Sequence, residues 1–135
     1  KGVIQSDVER TLDSYVKMCS LSVTAESLAG FGLLLANGGV NPSTGVRLLQ
    51  AETVQVVKTI MLTCGMYNGS GGFAVRVGIP SKSGVGGGIL SVADRKMGIG
   101  IFGPSLDQKG NSVAGEQVLE YLSTHLRLHI FAGAG

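Results

Sequence analysis

The apolar residues of this chain change their spacing twice, and that change limits the folds open to it. Up to Cys64 they recur at helical intervals, between Phe73 and Phe102 they read as strands, and after Ser112 they return to a helical stripe. Ser6-Asp7-Val8-Glu9 has the form of a capping box, opening a helix with Val8, Leu12, Tyr15, Val16 and Cys19 on one buried face. A second helix is predicted from Thr24 through Leu28, Phe31, Leu34 and Leu35, stopped by Asn37-Gly38-Gly39. Its interior Gly30 and Gly32 point to close packing against another element. A third helix over 51–63 turns Val54, Val57, Ile60, Met61 and Cys64 inward. Phe73, Val75 and Val77, alternating with Ala74 and Arg76, predict a half-buried strand. Residues 89–92 and 97–102 predict two more, with Gly98 and Gly100 leaving one face of the last strand open to a helix. Asn111 or Ser112 caps a final helix through Val118, Leu119, Leu122 and Leu126. Helices, an antiparallel sheet and a closing helix make an α+β layout, read as one domain without repeat or linker.

Composition excludes several function classes. A net charge of +2, with no basic run longer than Arg95-Lys96, argues against nucleic acid, and 5% aromatic residues leave little to stack bases on. No apolar run is long enough to span a membrane. The N-terminal residues lack a signal-peptide layout, so a cytoplasmic location is expected. Without an initiator Met, the chain is also expected to have lost or left out an upstream part. Cys19 and Cys64 read as free, buried thiols, and with no CxxC pair a structural metal is not expected. His125 and His129 have ligand spacing on a helix but no acidic or Cys partner, which favours a surface or interface pair.

The chemistry concentrates in Lys82-Ser83-Gly84, running into Val85-Gly86-Gly87-Gly88-Ile89-Leu90. A Lys-Ser/Thr-Gly triplet opening an apolar strand belongs to serine acyl enzymes of the penicillin-binding and class A β-lactamase type. There a cation, a hydroxyl and bare backbone line the edge where the acyl group lies. A closely packed Gly-rich strand start would carry the same letters.

The surroundings are more specific. Cys64-Gly65-Met66-Tyr67-Asn68-Gly69-Ser70-Gly71 precedes the triplet, and Ser105-Leu106-Asp107-Gln108-Lys109-Gly110-Asn111-Ser112 follows it. Upstream stand Cys19-Ser20 and Leu35-Ala36-Asn37-Gly38-Gly39. In order and spacing, residues 15–123 resemble the C-terminal half of the serine-dependent glutaminases, which have a β-lactamase-like fold. The departures are few: Asn68 where aspartate is usual, Ser81 where alanine is common, and Gly103-Pro104-Ser105 in place of a Ser-Pro-Pro type loop.

The resemblance implies hydrolysis of the side-chain amide of L-glutamine to glutamate and ammonia through a serine acyl-enzyme, with no metal or organic cofactor. It implies that Val85 gives an oxyanion-hole N–H, the second donor being the nucleophile's own. It makes Tyr67 a proton relay beside the nucleophile and Tyr15 a contact to bound glutamine. From the residues alone, Tyr67 reads equally as a turn tyrosine and Tyr15 as a core position. Lys82, Ser83 and Gly84 are expected near the site in supporting roles. The Ser-x-x-Lys motif and the groups gripping the amino-acid end of glutamine are expected upstream of residue 1, which makes this chain the C-terminal portion of a larger homo-oligomeric enzyme. Ser14-Tyr15-Val16-Lys17 matches Ser-x-x-Lys as a string but stands far closer to Lys82 than is usual in the family, on the polar side of its helix. Two other readings stay open: a penicillin-binding or β-lactamase relative acting on a cyclic amide, and a catalytically inactive assembly module.

Overall fold

The computed structural model describes residues 2–3 and 5–132. Among these residues, five α-helices and three strands follow the order α1 (Val8–Cys19), α2 (Ala25–Ala36), α3 (Ala51–Cys64), α4 (Ser70–Arg76), β1 (Ser81–Ser83), β2 (Gly88–Ala93), β3 (Met97–Phe102) and α5 (Val113–Leu126). A 3-10 turn at Tyr67–Gly69 leads into α4. The strands form one antiparallel sheet in the order β1-β2-β3, with Ser83 opposite Ile89 and Leu90 opposite Gly100. The α+β architecture expected from the apolar pattern is the one observed.

Strand alternation divides the core in two. Ile89 and Ala93 of β2 face a cluster with Met66, Phe73, Val77, Ile79, Leu119 and Leu128, to which α4 gives Phe73, α5 gives Leu119 and the segments flanking them give the rest. Val92, on the opposite face, joins Leu35, Ala36, Val54 and Met61 from α2 and α3. On this second face the backbones nearly touch. A Cβ at Gly98 would stand 2.1 Å from Ala29 O, and one at Gly100 would stand 1.9 Å from Ala25 O. Both contacts are with backbone, so only glycine fits. Gly32 of α2 meets Gly98 in the same way, whereas Gly30 faces open space and has no such role.

The cap signals are mostly local and mostly hold. Thr24 caps α2 through Ser27 N, and Ser112 caps α5 through Gly115 N. At α1 the cap is Asp7, which accepts from Arg10 N at 2.9 Å, one residue beyond the expected Ser6.

The segment 73–77 departs from the predicted strand. Phe73 closes the inner face of α4 and Val77 follows it at the C-cap, while Val75 is 79% exposed. Phe73 and Val77 are four residues apart, so so short an apolar run satisfies both periods until Val75 turns outward. Arg76 fixes the outer side by pairing with Glu116 and Glu120 of α5, each at 3.1 Å.

Further expectations are corrected. Lys82-Ser83-Gly84 ends the short strand β1 and enters a turn, and the apolar run after it is the antiparallel partner β2. α1 buries none of its residues, and its apolar stripe is exposed. Cys19 and Cys64 are free but exposed, as is Ile60 of α3. α5 ends at Leu126, so His129 does not share a helix with His125. His125 stacks on Tyr121, and His129 lies against Gly78.

Candidate functional site

Three segments meet at one end of the sheet: the turn after α3, the β1–β2 connection and the loop before α5. Each has a local reason for its shape. The β1–β2 connection is a four-residue turn, closed by Gly87 N donating to Gly84 O at 2.9 Å and Gly84 N donating to Gly88 O at 2.9 Å. Val85 stands at the first central position, 71% exposed. Among the described residues no acceptor takes its N–H, so a backbone donor is presented at the tip of a hairpin.

Tyr67 begins the turn after α3 with φ +50, a left-handed conformation that costs a non-glycine residue free energy. Its neighbours hold it there. Met66 N donates to Ser70 Oγ at 3.0 Å, and that hydroxyl donates to Tyr67 O at 2.8 Å. Tyr67 is 42% exposed, with the Lys82 ammonium 4.9 Å from its ring centroid. Lys82 also donates to Ser83 O, and burial lowers its pKa from the usual lysine value. A cation partly removed from water beside a phenol gives this surface positive potential.

The loop before α5 closes the arrangement. The Asp107 carboxylate accepts from Lys109 N and Asn111 N, both at 2.9 Å. The N–H of Asn111 is the main reason that its pKa lies below the ordinary carboxylate value. This clamp sets Gly110 at φ +91, between Tyr67 and Val85. A Cβ there would sit 3.6 Å from Tyr67 Cε2 and 3.6 Å from Val85 Cγ1. The two residues that share no sequence neighbourhood therefore flank one glycine.

Ser83, expected near the site in a supporting role, turns its hydroxyl inward. Its side chain is buried, donating to Asn111 Oδ1 at 2.6 Å. Lys82, Ser83 and Gly84 nevertheless line a groove of about 930 Å³ with Leu21, Thr24 and Phe102. Tyr15 is not brought to this cluster by any described contact. It stands 59% exposed on α1, and the neighbouring Cys19 raises the pKa of its phenol. Ser14 Oγ donates to Arg10 O at 2.9 Å and Lys17 pairs with Asp13 at 2.7 Å, so neither is arranged on the other. Among the described residues no group of His, Cys, Asp or Glu is placed to hold a metal ion, and no helix is long and apolar enough to cross a membrane.

Sequence reasoning saw Asn111 only as a possible helix cap. It is fully buried and its amide ties two segments together. Its bonding partners lie 28 and 45 residues away, and no local pattern carries that signal.

Comparison with known proteins places these features in context. A family model described as Glutaminase matches residues 1–131. A glutaminase of Clostridium tetani is 58% identical over 130 residues, covering 96% of this chain and 42% of that protein. Glutaminase 2 of Clostridium perfringens is 58% identical over 130 residues, covering 43% of its length. Among solved structures, the Bacillus subtilis glutaminase YbgJ superposes with a TM-score of 0.90 at 40% identity, over 95% of this chain and 46% of that one. That enzyme was captured as a covalent complex with 5-oxo-L-norleucine after reaction with 6-diazo-5-oxo-L-norleucine. Mglu in its tris and glutamate form gives a TM-score of 0.94 at 41% identity, over 99% of this chain and 30% of that one. The chain thus spans less than half the length of the relatives it matches.

Proposed function

The chain belongs to the glutaminase family, and on that premise we propose that it carries one wall of a glutaminase active site. The full-length protein hydrolyses the side-chain amide of L-glutamine, taking up water and releasing L-glutamate and ammonia. The nucleophilic serine and its Ser-x-x-Lys lysine come from residues outside these 135. Longer relatives support this, as does the separate local bonding of Ser14 and Lys17.

The reaction follows from the groups at the hairpin. The serine oxygen attacks the amide carbon, and the carbonyl oxygen becomes an oxyanion that needs aimed donors. The unpaired N–H of Val85 is one of them, and it is the observation that carries the proposal. Tyr67, across Gly110, passes the serine proton to the departing amine, so that ammonia leaves as the acyl-enzyme forms. Water then attacks the acyl carbon and glutamate is freed. The Lys82 ammonium adds positive potential beside the phenol, while Ser83 and Gly84 shape the backbone rather than touch substrate. Tyr15 contacts glutamine only when α1 is covered by the rest of the protein. The exposed free thiols of Cys19 and Cys64 fit a reducing, cytoplasmic setting, and a homo-oligomer belongs to the same proposal.

The test is covalent trapping. The full-length protein, after ammonia release from L-glutamine is established, is treated with 6-diazo-5-oxo-L-norleucine and mapped by peptide mass spectrometry. The adduct is expected on a serine outside this chain. An adduct on Ser14 would overturn the assignment.

A further inference from the structure

We propose that Asn111 is a positioning residue that locks Tyr67 and the Val85 N–H into register with each other. The proposal rests on the glutaminase reading above and adds to it the group that holds the two parts of the machinery at a fixed separation.

Tyr67 and Val85 lie on different segments, each shaped by its own local bonds. The turn at Tyr67 keeps a left-handed residue, and the β1–β2 hairpin is three residues long on its β1 side. Something must couple them, because an oxyanion donor and a proton relay act on the same tetrahedral centre. Asn111 makes that link with both ends of one amide. Its Nδ2 donates to Met66 O at 3.1 Å, on the peptide that leads into Tyr67. Its Oδ1 accepts from Ser83 Oγ at 2.6 Å, two residues before Val85. Ser83 N donates in turn to Gly65 O at 3.0 Å, closing a ring of bonds around the two segments.

The amide is anchored from its own side as well. Asn111 N donates to Asp107 Oδ1, and Asp107 N donates to Asn111 O at 2.8 Å. The residue before it, Gly110, faces both the Tyr67 ring and the Val85 side chain. Asn111 is 0% exposed, so water does not compete for these bonds. Within the low-polarity interior they are stiff, and losing one leaves a buried partner unsatisfied. An amide is the one side chain short enough for this space that offers a donor and an acceptor in a fixed plane.

A displacement of about 1 Å at a reacting group can cost roughly a hundredfold in rate while binding is kept. The test therefore separates turnover from binding in the full-length protein, using L-glutamine as substrate. Asn111→Ala is expected to lower kcat by about 10- to 100-fold with KM changed by less than about threefold. In a Tyr67→Phe background the same substitution is expected to cost at least about threefold less, because part of its effect runs through the phenol. If Asn111→Ala does not fold, Ser83→Ala carries the test. It removes one link and leaves the strand pairing, with an expected loss of about 3- to 10-fold in kcat alone. Wild-type kcat in either folded variant, or an equal loss in both tyrosine backgrounds, would overturn the positioning role. A wild-type protein that releases no ammonia from glutamine would instead overturn the proposed function, and this inference with it.

Discussion

The hairpin end of the sheet and helix α1 are built on opposite terms. At the hairpin end, each group in the proposed machinery is held by contacts within the chain: Tyr67 by Ser70 and Met66, Val85 by the Gly84–Gly87 turn, and both by Gly110 and Asn111. Helix α1 has an apolar stripe and buries none of it. Tyr15, on that stripe, is exposed, with Cys19 of its own helix beside its phenol. The difference teaches that the Tyr67–Val85 arrangement forms from local and mid-range contacts inside these residues, whereas the α1 stripe with Tyr15 is left uncovered by the other described residues, and on the proposed function it would be completed from outside them.

The largest expected effect tests the hairpin end. Val85→Pro removes the N–H while keeping a backbone angle suited to the first central position of a turn. In the full-length protein it should lower kcat for L-glutamine by about 10²- to 10³-fold, while Val85→Ala stays near wild type. Equal activity of the two would show that the backbone donor is unused.

Gly110→Ala comes next. Its Cβ has ordinary contact distances to Tyr67 and Val85, so the cost is the positive φ rather than a clash. A loss of about 1–2 kcal/mol is expected in urea unfolding, along with slower turnover. A stability change without any change in turnover would separate the loop from the site.

Asp107→Asn probes the same clamp through pH. The folded-state pKa of Asp107 is depressed by the N–H of Asn111 and its neighbours, so its stabilisation is present above the unfolded value of about 3.9 and is lost as pH falls through the lower folded value. Melting temperature should therefore drop on substitution at pH 7, and the gap should close as pH falls below about 4. A gap that persists in acid would mean that the carboxylate charge is not what holds the loop.

The smallest effect belongs to α1. Leu12→Ala in the 135-residue chain should change stability by less than about 0.5 kcal/mol, since the side chain is exposed. In the full-length protein the same change should cost about 2 kcal/mol or more if the stripe is covered. Equal small effects in both would leave α1 unpartnered and Tyr15 without a role.

What the sequence made legible was whatever is written in neighbouring residues. Thr24 and Ser112 announce helix starts, Gly98 and Gly100 announce a helix lying on backbone, and the Lys82-Ser83-Gly84 neighbourhood announces the family. The segment Phe73–Val77 misled because a helical pair four apart and an alternating strand share the same short pattern. α1 misled because an amphipathic stripe states that a face wants covering and does not say by what. Asn111 stayed hidden because its partners, Ser83 and Met66, become neighbours only after the sheet and α3 have come together.

The central claim is that these residues supply the oxyanion donor and the proton relay but not the nucleophile. Ammonia release from L-glutamine by the 135-residue chain alone, once circular dichroism shows it folded, tests that claim most directly. The account predicts no turnover by the chain alone and recovery when the upstream portion of the full-length protein is added. Turnover by the chain alone that disappears in Ser14→Ala would contradict it.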